Sequence, residues 1–120
     1  MHEVLISLAA NCDHKKNLSE ARQRLEQVLY SSCYTPEVWT DAVGGATGQY
    51  LNQMVKAGTS LDLDALQAAL KQIELDMGRT PADRQQGIVR IDLDLMEYDR
   101  QRYHLRDWGR HYVQQLIKLM

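Results

Sequence analysis

The stretch Val89-Arg90-Ile91-Asp92-Leu93-Asp94-Leu95 alternates apolar and charged residues. Alternation with a period of two is typical of a β-strand that packs one face against a core. The sequence therefore predicts a strand over Val89 to Tyr98, with Arg90, Asp92 and Asp94 on one shared face. Two residues of strand rise separate the Cα atoms of the two aspartates by about 6.5–7 Å, close enough for both carboxylates to hold metal ions between them.

The pair of aspartates alone does not distinguish a functional site from a solvated strand face. On the D-x-D pattern by itself the solvated face is the favoured interpretation. Two like charges on neighbouring positions of one face repel, however, and a bound cation relieves that repulsion. Carboxylate oxygens suit Mg²⁺, which keeps several waters and recruits phosphate oxygens. Arg79, Arg84 and Arg90 cluster nearby, and their position around the carboxylates favours a polyphosphate site.

The rest of the chain predicts an α+β fold. In chain order we expect a strand at Val4–Ala10, a helix over 18–29 capped by Asn17, strand-like segments at Tyr30–Ala42 (interrupted by Pro36) and Tyr50–Ala57 with a hairpin loop at Gly44–Gly48 between them, a helix from Asp62 to a capping Gly78, a polar loop at Thr80–Gly87, the strand at Val89–Tyr98, and a last helix at Asp107–Met120. The order β-α-β-β-α-β is that of the ferredoxin-like fold, in which one antiparallel sheet carries the two helices on one face.

Length and composition limit the classes of function. The chain has 120 residues and a mass of 13.8 kDa, which predicts a single domain over residues 1–120. A net charge of −2 argues against a nucleic-acid partner. The apolar runs are short and no signal peptide is recognisable at the N-terminus, so we expect no membrane partner. Cys12 and Cys33 lack any metal-ligand spacing and are expected to be reduced thiols in a cytoplasmic protein.

Tyr50 and Asn52 indicate a second kind of site. They share one strand face, so a ring and an amide lie side by side. Such a pair can stack on a flat heterocycle and hydrogen-bond its edge. A tyrosine in a strand is more often simply packed, so this pair alone decides nothing.

A further set of short segments is distributed over most of the chain: Ile6–Asn11, Tyr34-Thr35-Pro36, Tyr50-Leu51-Asn52, Ile73-Glu74 with Gly78-Arg79, and Arg90–Leu95. In this order, these segments resemble the 6-hydroxymethyl-7,8-dihydropterin pyrophosphokinase family. The family has a ferredoxin-like fold and transfers the pyrophosphoryl group of ATP to the hydroxymethyl oxygen of the pterin in folate biosynthesis. The resemblance implies a Mg²⁺-dependent diphosphotransferase with two Mg²⁺ ions, with ATP and hydroxymethyl-dihydropterin as partners, in a monomer or a weak dimer.

The resemblance also implies a role for individual residues. Asp92 and Asp94 would hold the two Mg²⁺ ions, and Arg90 and His104 would complete the catalytic set. His104, Arg110 and Tyr112 match the spacing of a histidine, an arginine and an aromatic residue in the family. The residues implied to bind ATP are Glu74, Arg79, Arg84, Arg90, Leu95, His104 and Arg110, and those implied to bind the pterin are Thr35, Pro36, Tyr50, Asn52 and Tyr112.

Some positions depart from the family pattern. Pro81 stands where a phosphate-binding arginine is expected, with Arg84 as the substitute, and the loop before Asp92 lacks the family's tryptophan. These departures leave open an alternative, a non-catalytic nucleotide- or pterin-binding relative with an altered active-site loop. A third interpretation, an interaction domain without small-molecule chemistry, is disfavoured by the presence of Asp92, Asp94, Arg90 and Asn52.

Overall fold

The computed structural model describes residues 1–41 and 48–120, so most of the predicted Gly44–Gly48 hairpin loop lies outside the described residues. The elements are β1 (His2–Ala10), α1 (His14–Leu25), β2 (Tyr30–Tyr34), β3 (Val38–Asp41), β4 (Gln49–Thr59), α2 (Leu63–Asp76), α3 (Pro81–Gln85), β5 (Asp92–Tyr98), β6 (Gln101–Arg102), α4 (Leu105–Trp108) and α5 (His111–Lys118).

The strands form one antiparallel sheet in the order β2-β4-β1-β5-β6, and β3 also pairs with β4. β1 is central because it is apolar on both faces. One face of the sheet carries α1 and α2, whose buried side chains pack on Ile6 and Leu8 of β1 and on Leu93 and Leu95 of β5. The predicted α+β, ferredoxin-like fold class is confirmed, with α1 and α2 on one face of the sheet.

The opposite face of the sheet is partly covered by the C-terminal helices. Val113 and Leu116 of α5 and Trp108 of α4 pack with Leu5, Met54 and Met96 in a second apolar cluster. The indole Nε1–H of Trp108 donates to the carbonyl of Tyr103 at 3.0 Å. The last helix was predicted as one element from Asp107, and the structure divides it into two short helices.

Local hydrogen bonds explain where the other predicted boundaries hold and where they are wrong. Asp62 caps α2 by accepting from the Ala65 N–H at 2.8 Å, as predicted. Asn17 is not a helix cap, because α1 begins a turn earlier and the Asn17 side chain instead donates to the Cys12 carbonyl at 2.8 Å. The segment predicted as a polar loop at Thr80–Gly87 contains α3, because Thr80 Oγ1 accepts from the Asp83 N–H at 3.1 Å.

The sheet register brings side chains of three strands into one row. Ala9 of β1 lies opposite Asn52 of β4 on one side and opposite Asp92 of β5 on the other. Asp94 lies opposite Ser7 in the same way.

Within the described residues, no helix combines the length and the apolar character needed to cross a membrane.

Candidate active site

Asp92 and Asp94 lie on the sheet face that α1 and α2 do not cover, and both are half-buried. Their intervening and following neighbours, Leu93 and Leu95, are buried against the helices on the other face. The predicted placement of the two aspartates on one face is therefore confirmed. Because their cross-strand neighbours on β1 are the small residues Ala9 and Ser7, the space above the carboxylates remains open.

The first of two clefts that meet at these carboxylates lies between α2 and β5, and we call it the α2 cleft. Its volume is about 400 Å³, and its lining residues are Gln67, Ala68, Leu70, Lys71, Glu74, Arg79, Asp92, Leu93, Asp94, Leu95 and His104. Of the residues assigned to ATP by resemblance, it contains Glu74, Arg79, Leu95 and His104.

Glu74 fixes the wall of the α2 cleft. It is 6% exposed, and one carboxylate oxygen accepts from the backbone N–H of Leu93 at 2.8 Å. The other oxygen pairs with the Arg79 guanidinium at 2.9 Å. Burial raises the pKa of Glu74 above its usual value, and the nearby charge of Asp92 acts in the same direction. Glu74 thus ties α2 to β5 at the level of the aspartates and orients Arg79 towards the cleft.

The second cleft lies between β4 and α5, and we call it the α5 cleft. Its volume is about 240 Å³, and its lining residues are Ser7, Ala9, Thr40, Tyr50, Asn52, Asp92, Asp94, Met96, Asp107, Arg110, Tyr112 and Val113. It brings Tyr50 and Asn52 of β4 together with Tyr112 of α5, which lies far along the chain from them. Arg110, which was assigned to the nucleotide by resemblance, also lies here, with its guanidinium 4.7 Å from the centroid of the Tyr112 ring.

Asn52 is the most buried polar side chain of the α5 cleft, at 3% exposed. Its Nδ2 donates to the Val38 carbonyl at 3.1 Å and to Thr40 Oγ1 at 2.9 Å. These bonds fix the orientation of the amide, and Oδ1 accepts no hydrogen bond from the described residues. The acceptor end is therefore available to an N–H group of a bound molecule.

The charge of Asp92 is close enough to affect the protonation of Asp94. Burial raises the pKa of Asp94 from 3.8 to about 6, the charge of Asp92 adds to this increase, and His104 opposes it. His104 Nε2 lies 3.8 Å from Asp94 Oδ1. A cation between the aspartates would relieve their repulsion.

The donor set at this point fits Mg²⁺. Two carboxylates offer the oxygen ligands that Mg²⁺ prefers, and Mg²⁺ is usually bound by one or two carboxylates together with waters and substrate phosphates. In the part of the chain that the structure describes, no three His, Cys, Asp or Glu side chains converge as a complete metal site. Asp92 and Asp94 are thus suited to a cation that the substrate helps to hold.

Arg90 does not reach either cleft. β5 begins at Asp92, so the alternation of strand faces does not extend back to Arg90, and its predicted position on the face of the aspartates is wrong. Its Nε instead donates to Asp83 Oδ2 of α3 at 2.8 Å. It lines a smaller cleft of about 100 Å³ together with Arg79 and Arg84, and Arg84 likewise lies outside the α2 and α5 clefts.

Thr35 and Pro36, assigned to the pterin by resemblance, line neither the α2 cleft nor the α5 cleft. Thr35 is 5% exposed, and its Oγ1 accepts from the Met54 N–H at 3.0 Å and donates to the Pro36 carbonyl at 3.0 Å. Thr35 therefore holds the chain between β2 and β3, and Pro36 is exposed.

Sequence reasoning missed several residues that line the clefts. Lys71 adds a positive charge to the α2 cleft, and Asp107 adds a carboxylate to the α5 cleft. The spacing of Gln67, Lys71 and Glu74, four and then three residues apart, places them on one face of α2. That spacing could have predicted Lys71, whereas Asp107 reaches its cleft only through tertiary packing.

Comparison with known proteins agrees with this arrangement. A family model described as 7,8-dihydro-6-hydroxymethylpterin-pyrophosphokinase matches residues 5–119. The chain is 34% identical over 122 residues to the folate synthesis bifunctional protein, mitochondrial, of Pisum sativum. The match covers 92% of this chain but 24% of the relative, so the chain spans less than two thirds of the length of that curated protein.

Proposed function

The chain belongs to the 7,8-dihydro-6-hydroxymethylpterin-pyrophosphokinase family, and on that basis we propose that it transfers pyrophosphate from ATP to 6-hydroxymethyl-7,8-dihydropterin in folate biosynthesis. The hydroxymethyl oxygen forms a bond to the β-phosphorus, the bond from the β-phosphorus to the oxygen bridging to the α-phosphorus breaks, AMP leaves, and the hydroxyl proton passes to water. The observation that carries the proposal is that Asp92 and Asp94 line both clefts. Two substrates, one in each cleft, would meet at these carboxylates.

The α2 cleft is suited to ATP. Lys71, Arg79 and His104 bring basic groups to one cleft, and cationic side chains stabilise phosphate oxygens by charge-assisted hydrogen bonds. Leu70 and Leu95 add apolar lining against which a base could pack.

The α5 cleft is suited to the pterin. The pterin is a flat heterocycle with ring N–H groups, and the oriented Oδ1 of Asn52 can accept a hydrogen bond from one of them. Tyr50 and Tyr112 line the same cleft and can stack on the ring.

Asp92 and Asp94 would hold Mg²⁺ where the clefts meet. When bound, Mg²⁺ neutralises phosphate charge and polarises the phosphoryl oxygens. The protein's own contribution is to orient the two substrates and to place fixed charges beside the transferring group, without a covalent intermediate. Arg79 would act on the phosphates from the position that Glu74 gives it.

The test is AMP formation from ATP, Mg²⁺ and 6-hydroxymethyl-7,8-dihydropterin. One AMP per pterin diphosphate is expected, with no AMP when the pterin is left out. Asp94→Ala is expected to lower the rate at least about 100-fold, the scale for removing one preorganised electrostatic contact. The control is Glu97→Gln, on the same strand but outside both clefts. Equal rates in Asp94→Ala and wild type would rule out the metal-holding role.

A second candidate is a non-catalytic relative that binds the nucleotide or the pterin. The observation that favours it is that Arg84 and Arg90 lie outside the α2 and α5 clefts. Calorimetry separates the two candidates: binding of both ligands without AMP formation would establish the binding protein and refute the enzyme.

A further inference from the structure

Asn11, the residue that follows β1, bridges to the segment that leads into β5. Its backbone N–H donates to the Val89 carbonyl at 2.9 Å. Its side-chain Oδ1 accepts from the Val89 N–H at 2.6 Å, and its Nδ2 donates to the Gly87 carbonyl at 2.7 Å. One residue therefore holds the segment 87–89 through three hydrogen bonds.

These hydrogen bonds extend the contact between β1 and β5 beyond the last paired residues of the two strands. The β1–β5 ladder ends with Ala9 opposite Asp92, so Asp92 is the terminal residue of β5. Strand ends open readily unless they are tied down. The side chain of Asn11 replaces the next rung of the ladder and limits how far Asp92 can move from Asp94.

The chemistry of this bridge requires an amide. A primary amide offers a donor and an acceptor at once, and Asn11 uses one for Gly87 and the other for Val89. Gly87 has a φ of +70°, so the chain turns there in a conformation that favours glycine. A carboxylate at position 11 would still accept from the Val89 N–H but could not donate to the Gly87 carbonyl. Its oxygen would face the carbonyl oxygen of Gly87, and the two would repel each other.

We propose that Asn11 is a positioning residue for the aspartate pair. It is not among the described residues that line either cleft, so it acts through the segment 87–89 and the position of Asp92. The inference rests on the proposed function in so far as the aspartates serve nucleotide binding. Its predicted effect is on Mg²⁺-dependent binding of the nucleotide and not on the pterin, whose amide contact lies on β4.

The test compares Asn11→Ala and Asn11→Asp with the wild type, and Gln72→Ala is the control. Gln72→Ala likewise removes a side-chain hydrogen bond, from Gln72 Nε2 to Asp76 Oδ1 at 2.8 Å, but this bond lies on the exposed side of α2. The first measurement is exchange of the Val89 amide by NMR. Asn11→Ala should speed exchange of the Val89 amide about tenfold, because that amide loses one hydrogen bond. Asn11→Asp keeps the acceptor for the Val89 N–H and should change the exchange rate less.

The second measurement is calorimetry with α,β-methylene-ATP and Mg²⁺, and separately with the pterin. Asn11→Ala should weaken nucleotide binding several-fold, Asn11→Asp should fall in between, and pterin binding should not change. The proposal is overturned if nucleotide binding matches the wild type, or if both ligands are lost together with thermal stability, since the role would then be merely structural. These readouts need no turnover, so a wild type that forms no AMP refutes the proposed function and leaves this test intact.

Discussion

Replacing Asp94 with asparagine is expected to stabilise the protein at neutral pH when no divalent cation is present. Burial and the charge of Asp92 raise the pKa of Asp94 from 3.8 to about 6. A carboxyl group with a raised pKa binds its proton more tightly in the folded chain than in the unfolded one. The tighter proton binding therefore stabilises the folded protein fully below pH 3.8. This stabilisation is lost as the pH rises through about 6 and the carboxyl group ionises.

The size of this effect follows from the pKa difference. At about 1.4 kcal/mol per pKa unit, ionising Asp94 in the folded protein costs about 3 kcal/mol at pH 7. That figure is an upper bound, because 30% of the side chain is exposed and solvent screens the charge. We expect Asp94→Asn to raise the free energy of unfolding by about 1–2 kcal/mol at pH 7.

Urea unfolding with EDTA present, at pH 7 and at pH 4, measures this difference. The advantage of Asp94→Asn should narrow at pH 4, where the wild-type carboxyl is protonated in the folded state. Glu97→Gln, on the same strand, should show no such stabilisation at pH 7, because Glu97 lies near Arg102 and away from the aspartate pair. The reasoning is refuted if Asp94→Asn is less stable than the wild type at pH 7, or if its advantage does not depend on pH.

Three further substitutions test other parts of the molecule. Asn52→Ala should weaken pterin binding by about 1–3 kcal/mol, because a ring N–H loses its buried partner; calorimetry should show ATP binding nearly unchanged, and equal loss of both ligands would point to a damaged fold. Arg84→Ala should leave the steady-state rate of pyrophosphoryl transfer and pterin binding nearly unchanged, because Arg84 lines neither the α2 cleft nor the α5 cleft; a markedly slower rate would mean that Arg84 contacts the nucleotide phosphates when ATP is bound. Gly78→Ala should cost about 1–2 kcal/mol in thermal unfolding, because Gly78 has a φ of +99° and a Cβ there would lie 3.3 Å from Arg90 Cδ; an unchanged Tm would contradict this.

Local patterns were sufficient to predict most elements of the fold. Helical spacing and the Asp62 cap predicted α2, an apolar run predicted β1, and a strand-like composition predicted β4, because these signals depend on neighbouring residues. Two of the errors concern the start of a helix. Asn17 was predicted to cap α1 but lies inside that helix, and its side chain donates to the carbonyl of Cys12, which precedes the helix. Thr80 caps a short helix in a segment whose polar composition predicted a loop.

The sequence by itself determined that Asp92 and Asp94 share a strand face, because alternation is a property of any strand. Only the tertiary structure decided which other side chains lie next to the two aspartates. The order β4-β1-β5 sets Asn52 and Asp92 on either side of the small Ala9, and α5 folds back over this face to bring Tyr112 into the same cleft. Arg90 is excluded because pairing with β1 ends at Asp92 and Asp83 holds its guanidinium. Such contacts join residues far apart in the chain, and they depend on strand order, register and packing, which no local pattern specifies.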